Sequence, residues 1–174
     1  TNKINYPGDT TIDVTYYKLD LKLTYQPNYL SGNVVVKAKN VSSVIDSFFL
    51  DLKTALTVDS VKLGITSLSY SHSADHKLNI SLDRNYSAGE EFEVTIFYQG
   101  VPVSSGFGSI TFGNRHGSPA IYTLSEPYGS CDWWPCKDTP SDKVDSADIW
   151  ITCDENLYAV SNGNLTETIT NSDS

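Results

Sequence analysis

Apolar and polar residues alternate along most of this chain, with a period of two. Tyr17, Leu19, Leu21, Leu23 and Tyr25 fall on one face of an extended segment, and Lys18, Asp20, Lys22 and Thr24 fall on the other. A turn at Pro27-Asn28 leads to a second apolar face made of Leu30, Gly32, Val34, Val36 and Ala38. Phe48, Leu50 and Leu52 form a third face, and Leu56, Val58 and Val61 a fourth. Leu78, Ile80 and Leu82 form a fifth, and Phe92, Val94, Ile96 and Tyr98 a sixth. Ile149, Ile151 and Cys153 alternate again near the end. Helical periodicity is almost absent. Closely spaced strands joined by Gly, Pro, Asn and Ser predict an all-β fold, either a sandwich or a large curved sheet.

Two stretches interrupt the alternation. Residues 86–91, Tyr-Ser-Ala-Gly-Glu-Glu, read as a turn before a strong strand. Residues 100–120 hold Gly100, Gly106, Gly108, Gly113 and Gly117 with Pro102 and Pro119, which predicts a long loop or hairpin. Gly106-Phe107-Gly108 is not a phosphate loop, because no Lys and no helix start follow it. The polar tail from Thr166 to Ser174 is expected to fray.

Composition narrows the classes of function. The 174 residues suit one domain, long enough to bury a core without metal or disulfide support. Twelve Lys and Arg against twenty-one Asp and Glu give a net charge of −9, which leaves little material for a basic, nucleic-acid-binding face. Cationic groups, such as the free amine of a peptide, are the easier partners. No apolar run reaches the roughly 18 residues of a membrane span. The chain contains no methionine, so Thr1 is expected to follow processing or excision. A hydroxyl-rich, lightly charged composition suggests an extracytoplasmic setting, secreted or periplasmic, with a cytoplasmic one as the alternative. Four Asn-x-Ser/Thr triplets, at Asn40, Asn79, Asn85 and Asn164, arise readily by chance in such a chain.

Candidate chemistry is sparse. Three cysteines, Cys131, Cys136 and Cys153, do not make a full disulfide framework. A Cys131–Cys136 bridge and small buried thiols are both open readings. His72 and His76 are four apart but lie between strands, in Ser-His-Ser-Ala-Asp-His, where a solvated turn is the plain reading. His116 sits in another turn, and no Gly-x-Ser-x-Gly elbow or His-Glu-x-x-His occurs. No metal site and no self-sufficient catalytic set is read from these residues. The densest chemistry is Ser125–Pro140, which gathers Glu126, Asp132, Trp133, Trp134, Pro135, Cys136, Lys137 and Asp138.

Four stretches together resemble the N-terminal domain of the aminopeptidase N and leukotriene hydrolase family of zinc metallopeptidases. Tyr17-Lys18-Leu19-Asp20-Leu21, followed by Leu30-Ser31-Gly32-Asn33-Val34, is similar to the family's opening hairpin. Phe97-Tyr98-Gln99-Gly100, then Gly106, resembles its Tyr-x-Gly segment before a long loop. Thr123-Leu124-Ser125-Glu126, with Pro135-Cys136-Lys137-Asp138-Thr139-Pro140 nine positions on, resembles Thr-Gln-x-Gln/Glu and Pro-Cys-x-Asp-x-Pro. Asp138-Thr139-Pro140 and Lys143 are nearest the leukotriene hydrolase branch. Tyr158-Ala159-Val160-Ser161-Asn162 is similar to the family's Ala-Leu-Ser-Asn. Leu124 departs from the usual Gln, and Ser130-Cys131-Asp132 stands where many members are Arg-rich.

The resemblance implies a saddle-shaped domain, a large twisted β-sheet with a smaller sheet packed on it in a sandwich-like way. It implies a single N-terminal domain over 1–174, with its last strands cut short, whose partner is its own catalytic domain. Zinc belongs to that missing domain. It further implies that Glu126 reaches the active site and binds the free α-amine of peptide N-termini. Without the resemblance, Glu126 reads as a surface carboxylate on a strand before Pro127. Trp133, Trp134, Pro135, Cys136, Asp138 and Pro140 read as loop scaffold or as filling for a domain interface, with Asp138 capping backbone amides. A secreted carbohydrate-binding or adhesion sandwich, using the Trp pair as a stacking surface, is the alternative. A relative whose catalytic domain has lost zinc is a third reading.

Overall fold

The structure, a computed structural model, describes residues 8–106 and 108–171. Thr1, Phe107 and the last three residues of the tail lie outside them.

Among the described residues, eleven strands carry the fold, and the first two form its longest hairpin. β1 (Ile12–Tyr25) and β2 (Asn28–Asn40) pair antiparallel over their whole length. β3 (Val44–Asp51), β4 (Leu56–Leu63), β5 (Thr66–Leu68), β6 (Tyr70–His72), β7 (Lys77–Ser87) and β8 (Glu91–Gly100) follow in quick succession. β9 (Ile110–Arg115) and β10 (Ser118–Thr123) make a separate hairpin, and β11 (Ser146–Thr152) comes last. The strands assort into a six-stranded sheet in the order β11-β1-β2-β8-β4-β5, a three-stranded sheet β3-β7-β6, and the β9–β10 ribbon. β11 runs parallel to β1, and the other pairs are antiparallel.

The alternation read from the sequence is the inside–outside pattern of two packed layers. Leu19, Leu21, Val34, Val36, Val94 and Ile96 of the large sheet are buried in one cluster with Phe48, Leu50, Leu78 and Ile80 of the small one. Phe48 and Phe92 meet across the layers with ring centroids 5.0 Å apart. The uneven spacing of Leu56, Val58 and Val61 has a local cause, because β4 shifts register against β8 between Val58 and Ser60. One extra residue there returns Val61 to the inner face.

Three expectations need correcting. Tyr86, read as part of a turn, lies on β7 and is buried, and the turn begins at Ala88. His72 ends β6 rather than occupying a turn, and its Nε2 donates to the Leu52 carbonyl at 2.8 Å. Ile149 and Ile151 do not form a half-buried face like the others. β11 is an edge strand, with Ile149 and Trp150 exposed, and Cys153 lies just beyond it. Of the four Asn triplets, Asn40 is buried, donating to the Tyr86 carbonyl at 2.8 Å and accepting from the Ser42 amide.

Candidate functional site

The segment after β10 crosses from the ribbon back to the two main sheets, and each of its turns is tied down. The Leu124 N–H donates to the Ser109 carbonyl at 3.1 Å. The Gly129 N–H donates to the Ser125 carbonyl at 2.8 Å and closes a turn over Glu126, Pro127 and Tyr128, whose side chains are exposed. Glu126 thus lies on a loop rather than a strand, since β10 ends at Thr123. The Glu126–Pro127 peptide is cis. Among the described residues, the Glu126 carboxylate forms no hydrogen bond or ion pair. Gly129 is buried against Ser109, where an added Cβ would stand 2.7 Å from the serine Cβ.

A single 3-10 turn, Ser130–Asp132, redirects the chain inward. Trp133 Nε1 donates to Ser125 Oγ at 3.0 Å, and the Trp133 carbonyl accepts from the Tyr98 hydroxyl at 3.0 Å. Trp134 meets Tyr17 edge-on at 4.7 Å. Both indoles are half-buried against the domain's own core. Pro135 and Cys136 are buried, and Pro140 is exposed. Cys136 and Asp51 exchange both backbone hydrogen bonds, at 2.7 and 3.1 Å, so the segment docks on the end of β3.

Buried polar groups then hold the end of the segment. Asp138 Oδ2 accepts the Cys131 N–H at 3.3 Å, and the Asp138 N–H donates to Asp51 Oδ2 at 3.1 Å. The Lys137 N–H donates to the Tyr17 hydroxyl at 2.9 Å. Its Nζ donates to the Ile12 carbonyl at 2.6 Å and pairs with Asp142. Burial raises the pKa of Asp51 and Asp138, and hydrogen bonds to their carboxylates counter it in part. Burial, reinforced by nearby aspartates, also pushes the Cys131 and Cys136 thiols well above their ordinary value. Both thiols are free and stay protonated, which suits packing rather than nucleophilic work.

These residues do not fit zinc. The two central thiols are protonated and enclosed. His72 is committed to the Leu52 carbonyl, and His76 Nδ1 accepts the Thr54 N–H at 3.3 Å. Among the described residues, no His, Cys, Asp and Glu group is placed to hold a metal ion. The Cys131 thiol does hydrogen-bond the Asp138 carboxylate, but burial raises the pKa of both groups, so the pair does not generate a thiolate. What the segment offers is one open carboxylate on a firmly anchored loop, and that arrangement suits the binding of a cation.

Several residues that shape the site carry no signal for it in the sequence. Asp51, Tyr17, Tyr98, Ser105 and Ser109 lie far away along the chain, and no spacing links them to Glu126. Asp132 stands out as a lone carboxylate inside the bulky run Cys131-Asp132-Trp133-Trp134, but that run does not show which way its side chain turns.

Comparison with known proteins covers most of the chain, this segment included. A two-domain M1 zinc metallopeptidase solved with L-tryptophan is 26% identical and superposes with a TM-score of 0.81. The alignment covers 95% of this chain and 38% of that one. The M1 zinc metallopeptidase from Deinococcus radiodurans is 25% identical with a TM-score of 0.79, at the same coverage. Yeast LTA4 hydrolase shares the fold at 17% identity and a TM-score of 0.69, over 88% of this chain and 25% of its own. The chain thus spans little more than a third of the length of the bacterial enzyme. No curated protein matches it. The profile of the Peptidase M1 N-terminal domain matches residues 14–174, and with the shared fold it establishes that this chain belongs to the N-terminal domain family of the M1 peptidases.

Proposed function

We propose that this chain is the non-catalytic N-terminal domain of a zinc aminopeptidase, and that Glu126 binds the free α-amine of its peptide substrates. The observation that carries the reading is the state of Glu126. It is an open carboxylate without a partner among the described residues, on a loop anchored at Leu124 and Gly129. By the resemblance of Thr123–Glu126 to the family motif, it falls where the family's amine-binding residue falls.

The chemistry follows from what an exopeptidase must recognise. The end of a peptide differs from its interior by an ammonium group. A carboxylate accepts a charge-assisted hydrogen bond from that group, and the bond strengthens when docking against a second domain excludes water. An anchored loop holds the carboxylate at a fixed place, so binding the amine also fixes the distance to the first peptide bond. Relatives have been solved with L-arginine, L-tryptophan and the tripeptide Tyr-Ser-Ala, each of which carries an α-amine. The reaction itself, with its zinc, belongs to the catalytic domain that this domain would pack against.

The test is Glu126→Ala and Glu126→Gln in the full-length protein. We expect kcat/KM on aminoacyl anilides to fall by the equivalent of about 2–5 kcal/mol, with zinc content unchanged. Wild-type kcat/KM in both variants would refute the assignment.

A further inference from the structure

Asp132 is fully buried, and burying a carboxylate is costly unless it is well partnered. Its Oδ2 accepts the Ser105 N–H at 2.8 Å and the hydroxyls of Ser105 and Ser109. Lys53 Nζ lies 3.9 Å from Oδ1, the nearest counter-charge. None of these partners belongs to the 3-10 turn on which Asp132 sits. The two serines come from the loop before β9, and the lysine from the loop after β3. A hydrophobic residue would fill the turn's inner side at lower cost. The charge therefore serves the segment that it grips.

Ser109 occupies the centre of that grip. Its hydroxyl is held by Asp132, its carbonyl accepts the Leu124 N–H, and its Cβ abuts Gly129. Leu124 and Gly129 are the two anchors of the turn that presents Glu126. Trp133, next to Asp132, reaches the same turn through Ser125 Oγ. No hydrogen bond or ion pair joins Asp132 to Glu126, so the influence runs through Ser109 and the backbone.

We infer that Asp132, acting through Ser109, is a positioning residue that sets where the Glu126 carboxylate stands. The inference rests on the amine-binding reading above. The experiment compares D132N, S109A and E126A in the full-length protein, together with D132N/E126A and S109A/E126A. S109A removes a single hydroxyl and keeps the test open should D132N fail to fold. Two readouts are taken: site-resolved amide hydrogen exchange at Leu124 and Gly129, and kcat/KM on an aminoacyl anilide.

The expected result has three parts. Exchange at Leu124 and Gly129 quickens in D132N and S109A. Their kcat/KM falls on the order of tenfold. That fall disappears in the E126A background, because a residue acting only through Glu126 has nothing left to position. A general loss of fold would instead add to the E126A loss, and that would overturn the inference. Unchanged exchange at both amides would overturn it as well, as would quickened exchange with wild-type kcat/KM. Wild-type kcat/KM in E126A itself would refute the amine-binding reading, and exchange alone would then decide whether Asp132 holds the loop.

Discussion

Asp138 and Asp51 show how single residues set the behaviour of the segment. Each is a buried carboxylate with its pKa raised from 3.8, burial being the main cause. In the native state the acid keeps its proton to a higher pH than in the unfolded chain. The associated stability is complete below 3.8 and is lost as pH rises through the raised value. Asp138→Asn should remove the titration while its amide oxygen still accepts the Cys131 N–H. Urea midpoints for the two proteins, taken from about pH 4 to about pH 7, should therefore move apart in favour of the variant as pH rises. A difference that does not change with pH would show that Asp138 does not titrate in this way. Glu126 is the opposite kind of residue. It has no role in packing, so its substitution should cost function and spare the fold.

Among the strands, the β1–β2 hairpin explains a glycine in the family's opening pattern. Gly32 stands opposite Leu21, and a Cβ added there would lie 2.1 Å from the Asp20 carbonyl oxygen. That atom is backbone within a continuous ladder, so it cannot move aside as a flexible side chain would. Gly32→Ala is expected to destabilise the domain by about 3 kcal/mol, measured as a lowered urea midpoint. A change of only a few tenths would mean that the ladder bends more freely than its pairing suggests. The β9–β10 ribbon forms a two-stranded sheet of its own. The Leu124 and Ser109 backbone bond sets where it delivers the Glu126 loop.

Over the whole molecule, apolar surface is unevenly distributed. Most of it is enclosed between the two sheets, yet Ile149 and Trp150 on β11 and Tyr158, Val160, Leu165 and Ile169 beyond it are exposed, Tyr158 by 96%. Among the described residues, β11 also has only β1 as a neighbour in its sheet. An unpaired edge beside apolar side chains favours association. The 174-residue chain alone is expected to self-associate in a sedimentation concentration series. The net charge of −9 opposes this, so added salt should strengthen it by screening. A monomer throughout the series, with or without salt, would contradict the expectation.

Fold class and most of the strands are legible in the order of residues alone. Half-buried strands between two layers must alternate, and alternation is visible one residue at a time. Inner-face positions such as Val34, Val36, Val94 and Ile96 are recognised without knowing their neighbours in space. The segment around Glu126 stands out by its density of chemistry, but its spacing to Pro135 has meaning only through the family resemblance, and the residues alone put Glu126 on a strand rather than a loop. Strands of three residues, such as β5 and β6, are too short to show a period. The rest depends on packing in three dimensions. The parallel pairing of β11 with β1 joins residues well over a hundred positions apart, and no local pattern encodes such a register. Nor does local pattern show that a carboxylate at Asp132 turns inward to Ser105 and Ser109 rather than out to water. Burial is a property of the packed whole, and the cost of a buried charge is known only once its partners are in place.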